Sequence, residues 1–493
     1  MQQFRDLTFG DYSGLREYKR DPRFFVNSFI QPPSFSLDSL HNRRNFIIVG
    51  RKGSGKSSCC LALAHKKNDE GFQSTFYNFS EDLTRAEIKD AVVTQKLNLS
   101  DISTKKLFDS IADFYDFRDL WIRRVIHSLS SLLVKQGIES SFVRLSQSMQ
   151  ISDESLAEGV GRGLMIPFPT TDLPRAITDL LRAKKREGAL PLRDYNKICL
   201  RLLAENHSDL KHYFFFDELN LSHANSMSDQ YNTLLALIRD IVRSAAYLND
   251  FFVENGVDIS VICCLRPEIR ARLLDEDHEL SKIIDSNSVD LSWPSHVSQQ
   301  NPLVQMLKKK IIIGGAEASE IDFIVPEFVK DMDGPNDIVF EMFFLNLTWY
   351  RPRDVIRVLK CYQSVCGDRA ALFGKGYDQL RFLKEYSRVS SRDCFAELEV
   401  KYSSQTLERL KNLMRHARYE DLESLKSDLD PLKNNADLDD LIQDLFDAGV
   451  IANHQRDGNS YQIYASYRGD AHLEPNIRIL IHRGLWMDMQ LRV

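Results

Sequence analysis

Three glycines and a lysine in the stretch NFIIVGRKGSGKSS, Asn45 to Ser58, are spaced to hold phosphate. Gly50, Gly53 and Gly55 admit backbone conformations and close approaches that a side chain would block. The amides from about Gly53 through Ser54 to Ser58 can then surround phosphate oxygens at a helix N-terminus, where the dipole favours negative charge. Lys56 would reach the terminal phosphates, and the Ser57 hydroxyl would ligate magnesium. Phe46 to Val49, before the loop, read as a buried strand, and SCCLALAHKK after it reads as a helix packed on a sheet.

Such a loop needs an acid at the end of a second buried strand, and KHYFFFDELN supplies one. After Tyr213 to Phe216, Asp217 would hold magnesium through water and Glu218 would polarise the attacking water. The tandem acid points to the ATPase branch of P-loop proteins (the ASCE type), with an added strand between the loop strand and the acidic one. There is no guanine-reading N-K-x-D and no LSGGQ-like signature. ATP and Mg2+ are the expected cofactors. Arg266 ends the strand of VDISVICCLRPEI, where it would either sense the terminal phosphate or pair with a nearby carboxylate. Arg351 and Arg353 flank Pro352 at the start of a further helix. Two cations at the positive end of a helix dipole call for an anionic partner, a carboxylate or, the reading preferred, a nucleotide phosphate.

These residues must be positioned by alternating strands and helices. STFYNF (Ser74 to Phe79), SNSVDLSW ending at Trp293, and a helix with Leu234, Leu237, Ile238, Ile241 and Ala245 on one face complete the pattern. The expected fold is α/β, a doubly wound parallel sheet with ligand at the strands' carboxyl ends. A helical insertion over about 97–210 separates Lys56 from Asp217, with Trp121, Val125, Leu129 and Leu132 as its core residues. Domain boundaries are expected at 1–300 for the ATPase core, 301–386 for a helical lid and 387–493 for a winged-helix-like domain. The last rests on two short amphipathic helices, YEDLESLKSDL and DLDDLIQDLFDAGVI, and a hairpin turning at Asp457-Gly458.

With GRKGSGKS, FFFDE, the arginine-ended strand, RPRD and the late YRG…HRGLW residues, the chain resembles bacterial P-loop ATPases on the border of the AAA+ and STAND classes. KAP-type and origin-recognition-type ATPases are relatives in architecture. The resemblance covers most of the chain, though only the loop and the acidic pair are highly specific. It implies a nucleotide-driven switch that assembles when ATP binds, in a bacterial antiphage defence system. The alternative is a nucleotide-dependent DNA-binding protein in which hydrolysis is minor. No arginine finger is identifiable.

The 493 residues carry a net charge of -6, with 43% hydrophobic and 27% charged residues, which excludes coating nucleic acid by overall charge. Eight cysteines without metal spacing read as free thiols in a reducing compartment. The N-terminus has no apolar signal core and no run approaches a membrane span, so a cytoplasmic location is expected. Arg175 to Arg201 holds eight Lys or Arg against three acids, net +5, and is the candidate for nucleic-acid contact, with a solvated helical face the commoner reading of such a run. The presumed recognition helix of the winged-helix-like domain instead carries Asp437, Asp439, Asp440, Asp444 and Asp447. Residues 387–493 total 14 Lys or Arg and 18 Asp or Glu. That sign points this domain toward protein, a neighbouring subunit of a homo-oligomer or a defence partner, rather than DNA.

Overall fold

Ile47, Ile48 and Val49 form a three-residue strand, β1, buried throughout, as a β-branched run in the middle of a parallel sheet must be. Four more strands join it: β2 (Gln73–Asn78), β3 (His212–Leu219), β4 (Ile259–Leu265) and β5 (Ser288–Asp290). Their order is β2-β3-β4-β1-β5 and every pairing is parallel. The strand lying between the loop strand and the acidic strand is therefore β4. This computed structural model describes residues 3–79, 117–148, 192–219, 229–332, 336–373, 376–399, 401–433, 436–457, 460–468 and 473–492.

The chain divides into two compact units, one of residues 37–49 and 63–290 and the other of residues 1–36, 50–62 and 291–493. In the first, the sheet lies against the long helix Asp229–Glu254. Asn249 of that helix accepts from Val261 N at 2.9 Å and donates to Val261 O at 2.8 Å, fixing the helix to β4. Stacked rings join β2 to β3, with Phe76 and Phe215 at 4.5 Å and Tyr77 and Phe216 at 5.0 Å. The expected strand ending at Trp293 stops at Asp290. β1 offers only three residues before Gly50, so Ser288, Val289 and Asp290 are all that find partners.

Of the insertion, three helices are described: Arg118–Lys135, Ser141–Ser148 and Leu192–Asn206. Trp121, Val125 and Leu129 are buried, but Leu133 rather than Leu132 completes their stripe. Most of Arg175 to Arg201, including Lys184, Lys185 and Arg186, lies outside the described residues.

The second unit opens with helices Gly14–Arg20 and Pro22–Ser28, tied to helix Pro302–Ile313 by a buried Lys310–Glu17 ion pair at 3.0 Å. A two-stranded ribbon, β6 (Phe328–Lys330) and β7 (Asp337–Val339), precedes helices Phe340–Leu347, Pro352–Cys366 and Gly376–Leu398. Three helices follow, Ser404–Leu413, Leu422–Leu429 and Leu438–Asp447. They pack on a sheet of β8 (Arg418–Tyr419), β9 (Ile451–Asp457), β10 (Ser460–Tyr464) and β11 (Ile479–Ile481), ordered β10-β9-β11-β8 and antiparallel. β9 and β10 form the expected hairpin, although its turn at 458–459 is outside the described residues. One core cluster joins Trp349, Phe395 and Leu398 to Leu441, Leu445, Phe446 and Trp486 of this C-terminal module. All eight cysteines are buried, and none forms a disulfide. Among the described residues no helix is long and apolar enough to cross a membrane.

Candidate functional site

Directly after β1 the chain turns through Gly50 to Gly55 into the helix Lys56–Asn68. Gly53 and Gly55 sit at φ +81° and +103°, values that a side chain would strain. The Lys56 ammonium is drawn back over the loop, 2.5 Å from Gly50 O and 3.2 Å from Arg51 O. Ser54 Oγ is buried without a hydrogen-bond partner. Trp293 braces the turn from outside, its Nε1 donating to Ser54 O at 2.9 Å. Ser57 and Ser58 open the helix, and a Cβ at Gly14 would come within 2.4 Å of Ser58 Oγ, so the N-terminal segment packs closely there.

Pro352 starts the helix Pro352–Cys366, and the two flanking arginines do different things. Arg351 grips Asp354 with Nε at 3.1 Å and Nη2 at 3.4 Å, and its Nη1 donates to Lys52 O at 3.2 Å. It thus has a carboxylate partner and holds the loop's backbone. Arg353 lies along the loop: its backbone N–H donates to Gly53 O at 3.3 Å, and a Cβ on Gly53 would meet its side chain at 3.0 Å. The Arg353 Nε is buried with no hydrogen-bond partner. Burial disfavours its charge, and repulsion from Arg351 and Arg357 adds to this beyond what Asp393 and Asp354 restore, so its pKa is lowered.

Asp354 is fully buried and shared, with Arg357 donating to its second oxygen at 2.7 Å. Arg357 continues to Asp393 at 2.6 Å, and Lys52 reaches Asp393 at 3.4 Å and Glu397 at 3.7 Å. Burial would raise the Asp393 carboxyl, but Arg357, Lys52, Arg351 and Arg353 outweigh it and hold it well below the usual range. Asp354 is lowered in the same way, with Arg351 and Arg357 overcoming its burial. Around the loop, Arg51, Lys52, Lys56, Arg351, Arg353 and Arg357 outnumber Asp354, Asp393 and Glu397. A surplus of positive charge in which the Nε atoms of Arg353 and Arg357 are both buried without a hydrogen-bond partner fits a polyanion such as a nucleotide's phosphates.

On the sheet, Asp217 and Glu218 lie in a β-bulge: Phe216 pairs with Cys263 and Leu219 with Leu265, leaving three steps on β3 against two on β4. Glu218 takes φ +54°, and its N–H donates to the Asp217 carboxylate at 2.8 Å. Strain at a non-glycine residue of this kind concentrates at functional sites. Glu218 is exposed and Asp217 half-buried. Val49 and Leu265 are register partners, so β1 and β4 end level. Arg266 then stands at the N-cap position of the helix Pro267–Glu276 without a side-chain capping bond, its guanidinium 3.5 Å from the exposed Glu268 carboxylate. Among the described residues no group of three or more His, Cys, Asp or Glu could hold a metal. The Ser57 hydroxyl at the start of the helix after the loop is the kind of oxygen that binds a magnesium ion beside water and phosphate oxygens.

Tyr467, Arg468 and His482, from the late YRG and HRGLW stretches, converge on Trp349 and Tyr350 just before RPRD. His482 stacks on Trp349 with ring centroids 3.7 Å apart, and Arg468 donates to Tyr350 Oη at 2.8 Å. Trp349 Nε1 donates to Gly449 O at 2.9 Å. The aspartates of the helix Leu438–Asp447 and its cap are largely committed. Asp437 caps its N-terminus, Asp439 pairs with Lys426 at 2.8 Å, and Asp444 pairs with Lys401 at 2.7 Å. Asp447 accepts from Gln443 at 3.1 Å.

Sequence reasoning missed Arg51, Lys52, Trp293, Arg357 and Asp393. Arg351, Asp354 and Arg357 carried one signal, an i, i+3, i+6 spacing that alternates charge along one helix face. Asp393 carried none, because its partners are distant in the chain.

No protein-family model matches the chain, and no curated protein matches it. Among solved structures, the Walker-type ATPase PABY2304 of Pyrococcus abyssi is similar at 15% sequence identity and a TM-score of 0.38, covering 90% of this chain and 98% of that one.

Proposed function

We propose that this chain binds ATP with Mg2+ at the Gly50–Ser58 loop and hydrolyses it to ADP and phosphate as a conformational switch. The observation that carries the reading is the convergence of Lys56 and Arg353 on a loop in which Gly53 and Gly55 take positive φ, with the buried Arg353 Nε unpaired. Loop amides and Lys56 hold the phosphates. Ser57, and Asp217 through water, hold the magnesium ion, which would neutralise charge developing on the phosphate oxygens. Glu218 orients the attacking water and takes its proton as the water oxygen bonds the γ-phosphorus and the bond to the β-phosphate oxygen breaks. Arg266 senses the terminal phosphate. Arg353 contacts it from the lid, while Arg351 acts through Lys52 O, positioning the loop that binds nucleotide.

Fluorescent-nucleotide binding tests the site: Lys56→Ala should abolish it by removing a charge-assisted phosphate contact. Glu218→Gln should retain binding and slow turnover by roughly 10²-fold or more. Equal turnover in wild type and Glu218→Gln would remove that residue from the mechanism. The partner reading, following the resemblance, is an assembling antiphage switch. Its C-terminal module, winged-helix-like in this reading, docks a subunit or partner protein, and any nucleic acid meets Arg175 to Arg201. Mass by light scattering with and without ATP tests assembly; a monomer in both conditions would count against it.

A further inference from the structure

The side chains of the two residues between Gly50 and Gly53 reach the C-terminal module and the helix that packs on it. Arg51 Nη1 donates to Asp447 O at 3.2 Å and to Ser466 Oγ at 3.1 Å. Asp447 ends the helix Leu438–Asp447, so Arg51 places a cation on the negative end of that helix dipole, where it is favourable. Ser466 also donates to Phe446 O at 2.6 Å, closing the helix terminus onto the segment after β10. Lys52 makes the second tie, to Asp393 and Glu397 on the helix that carries Phe395 and Leu398 into the module's core. The backbone of these same two residues serves the candidate phosphate site. Arg51 O accepts from Lys56, and Lys52 O accepts from Arg351.

We propose that Arg51, supported by Lys52, makes the C-terminal module a reader of nucleotide occupancy. This rests on the loop binding nucleotide, as proposed above. Phosphate wrapped by the loop amides fixes the Gly50–Gly53 backbone, and the Arg51 guanidinium is then held rigidly against Asp447 O and Ser466 Oγ. Occupancy thereby tightens the end of the Leu438–Asp447 helix and the 466–468 turn. Linkage requires the converse: docking of the module strengthens nucleotide binding by the same factor. The device is local and polar, with no movement of the core around Leu441 and Leu445 needed.

Hydrogen exchange on the full chain with and without Mg2+ and ATPγS tests it, alongside fluorescent-nucleotide binding. In wild type, amides at the end of the Leu438–Asp447 helix and in 466–468 should slow by about five-fold or more on nucleotide addition, the low end of ordinary coupling. Arg51→Ala should erase that difference and weaken nucleotide binding by the same factor, while Arg51→Lys, which keeps a cation at the helix end, should restore part of both. Ser466→Ala removes an acceptor on the module side and should reduce the response without touching the loop. Wild-type binding with no exchange response, or an unchanged response in both Arg51→Ala and Ser466→Ala, overturns the inference and leaves the nucleotide site standing. Absence of nucleotide binding by wild type overturns both.

Discussion

Asp354 is the residue on which the charge arrangement of the Pro352–Cys366 helix turns. It is fully buried between Arg351 and Arg357 and also accepts from Trp349 N at 2.9 Å. Asp354→Asn should cost about 3–5 kcal/mol in chemical denaturation, because it removes the carboxylate partner of the buried Arg351 and leaves Arg357 with Asp393 alone. A loss under 1 kcal/mol would mean that Asp393 can take over both arginines. Glu218 gives a prediction of opposite sense. Its φ of +54° is strained for any side chain but free for glycine. Glu218→Gly should therefore unfold at equal or higher denaturant concentration while losing hydrolysis, a split that a purely structural residue would not give.

At the scale of elements, the RPRD turn is held from the module side by His482. Burial pushes its pKa down to about 3, and it stays neutral between Gly484 N–H, which donates to Nδ1 at 3.1 Å, and Thr348 O, 3.2 Å from Nε2. In the unfolded chain it would titrate near 6.5. Above that pH neither state is protonated and stability is unaffected. As pH falls from 6.5 toward 3, the unfolded chain takes up a proton that the folded one refuses, and stability drops by up to ~1.4 kcal/mol per pH unit. Asp354 and Asp393, with lowered pKa values, lose their contributions only below the ordinary carboxylate range, so urea midpoints between pH 6.5 and 5 isolate the imidazoles. His212 and His454, both pushed down to about 4 chiefly by burial, act in the same window. His482→Gln should show a shallower pH slope there than wild type. An equal slope would mean that His482 is solvated and titrates normally.

At the scale of the whole molecule, the partner proposals separate by charge. Residues 387–493 carry a net negative charge, although Lys426 and Lys401 neutralise part of the Asp437–Asp447 helix. Duplex DNA binding depends on cations that release counterions. Replacing Lys184, Lys185 and Arg186 by alanine should thus lower any DNA affinity and flatten its salt dependence. Wild-type behaviour of that variant, with duplex binding by a C-terminal fragment at physiological salt, would move the DNA contact to the module. Removing residues 437–493 is a poor probe of docking, since it strips Trp349 of core partners such as Leu441 and Trp486 and should leave the RPRD turn unfolded.

By itself the sequence determined the local features: the glycine turn, the strand before it, the acidic pair and the helix start at Pro352. Each is set by residues close in the chain, through steric freedom, periodicity or capping, and such signals survive without knowledge of the fold. The apolar runs likewise announced a parallel sheet, because strands covered on both faces must be apolar along their whole length. Tertiary structure alone decided how the charges divide. It gave Arg351 to Asp354 and the Lys52 carbonyl, left Arg353 Nε unpaired over Gly53, and brought Asp393 and Asp447 to the loop across more than 300 residues of chain. A buried charge selects its partner by distance in space and by the desolvation both must offset. Neither quantity has a trace in local sequence, and the residues that tie the loop to the module could be found only once the chain had folded.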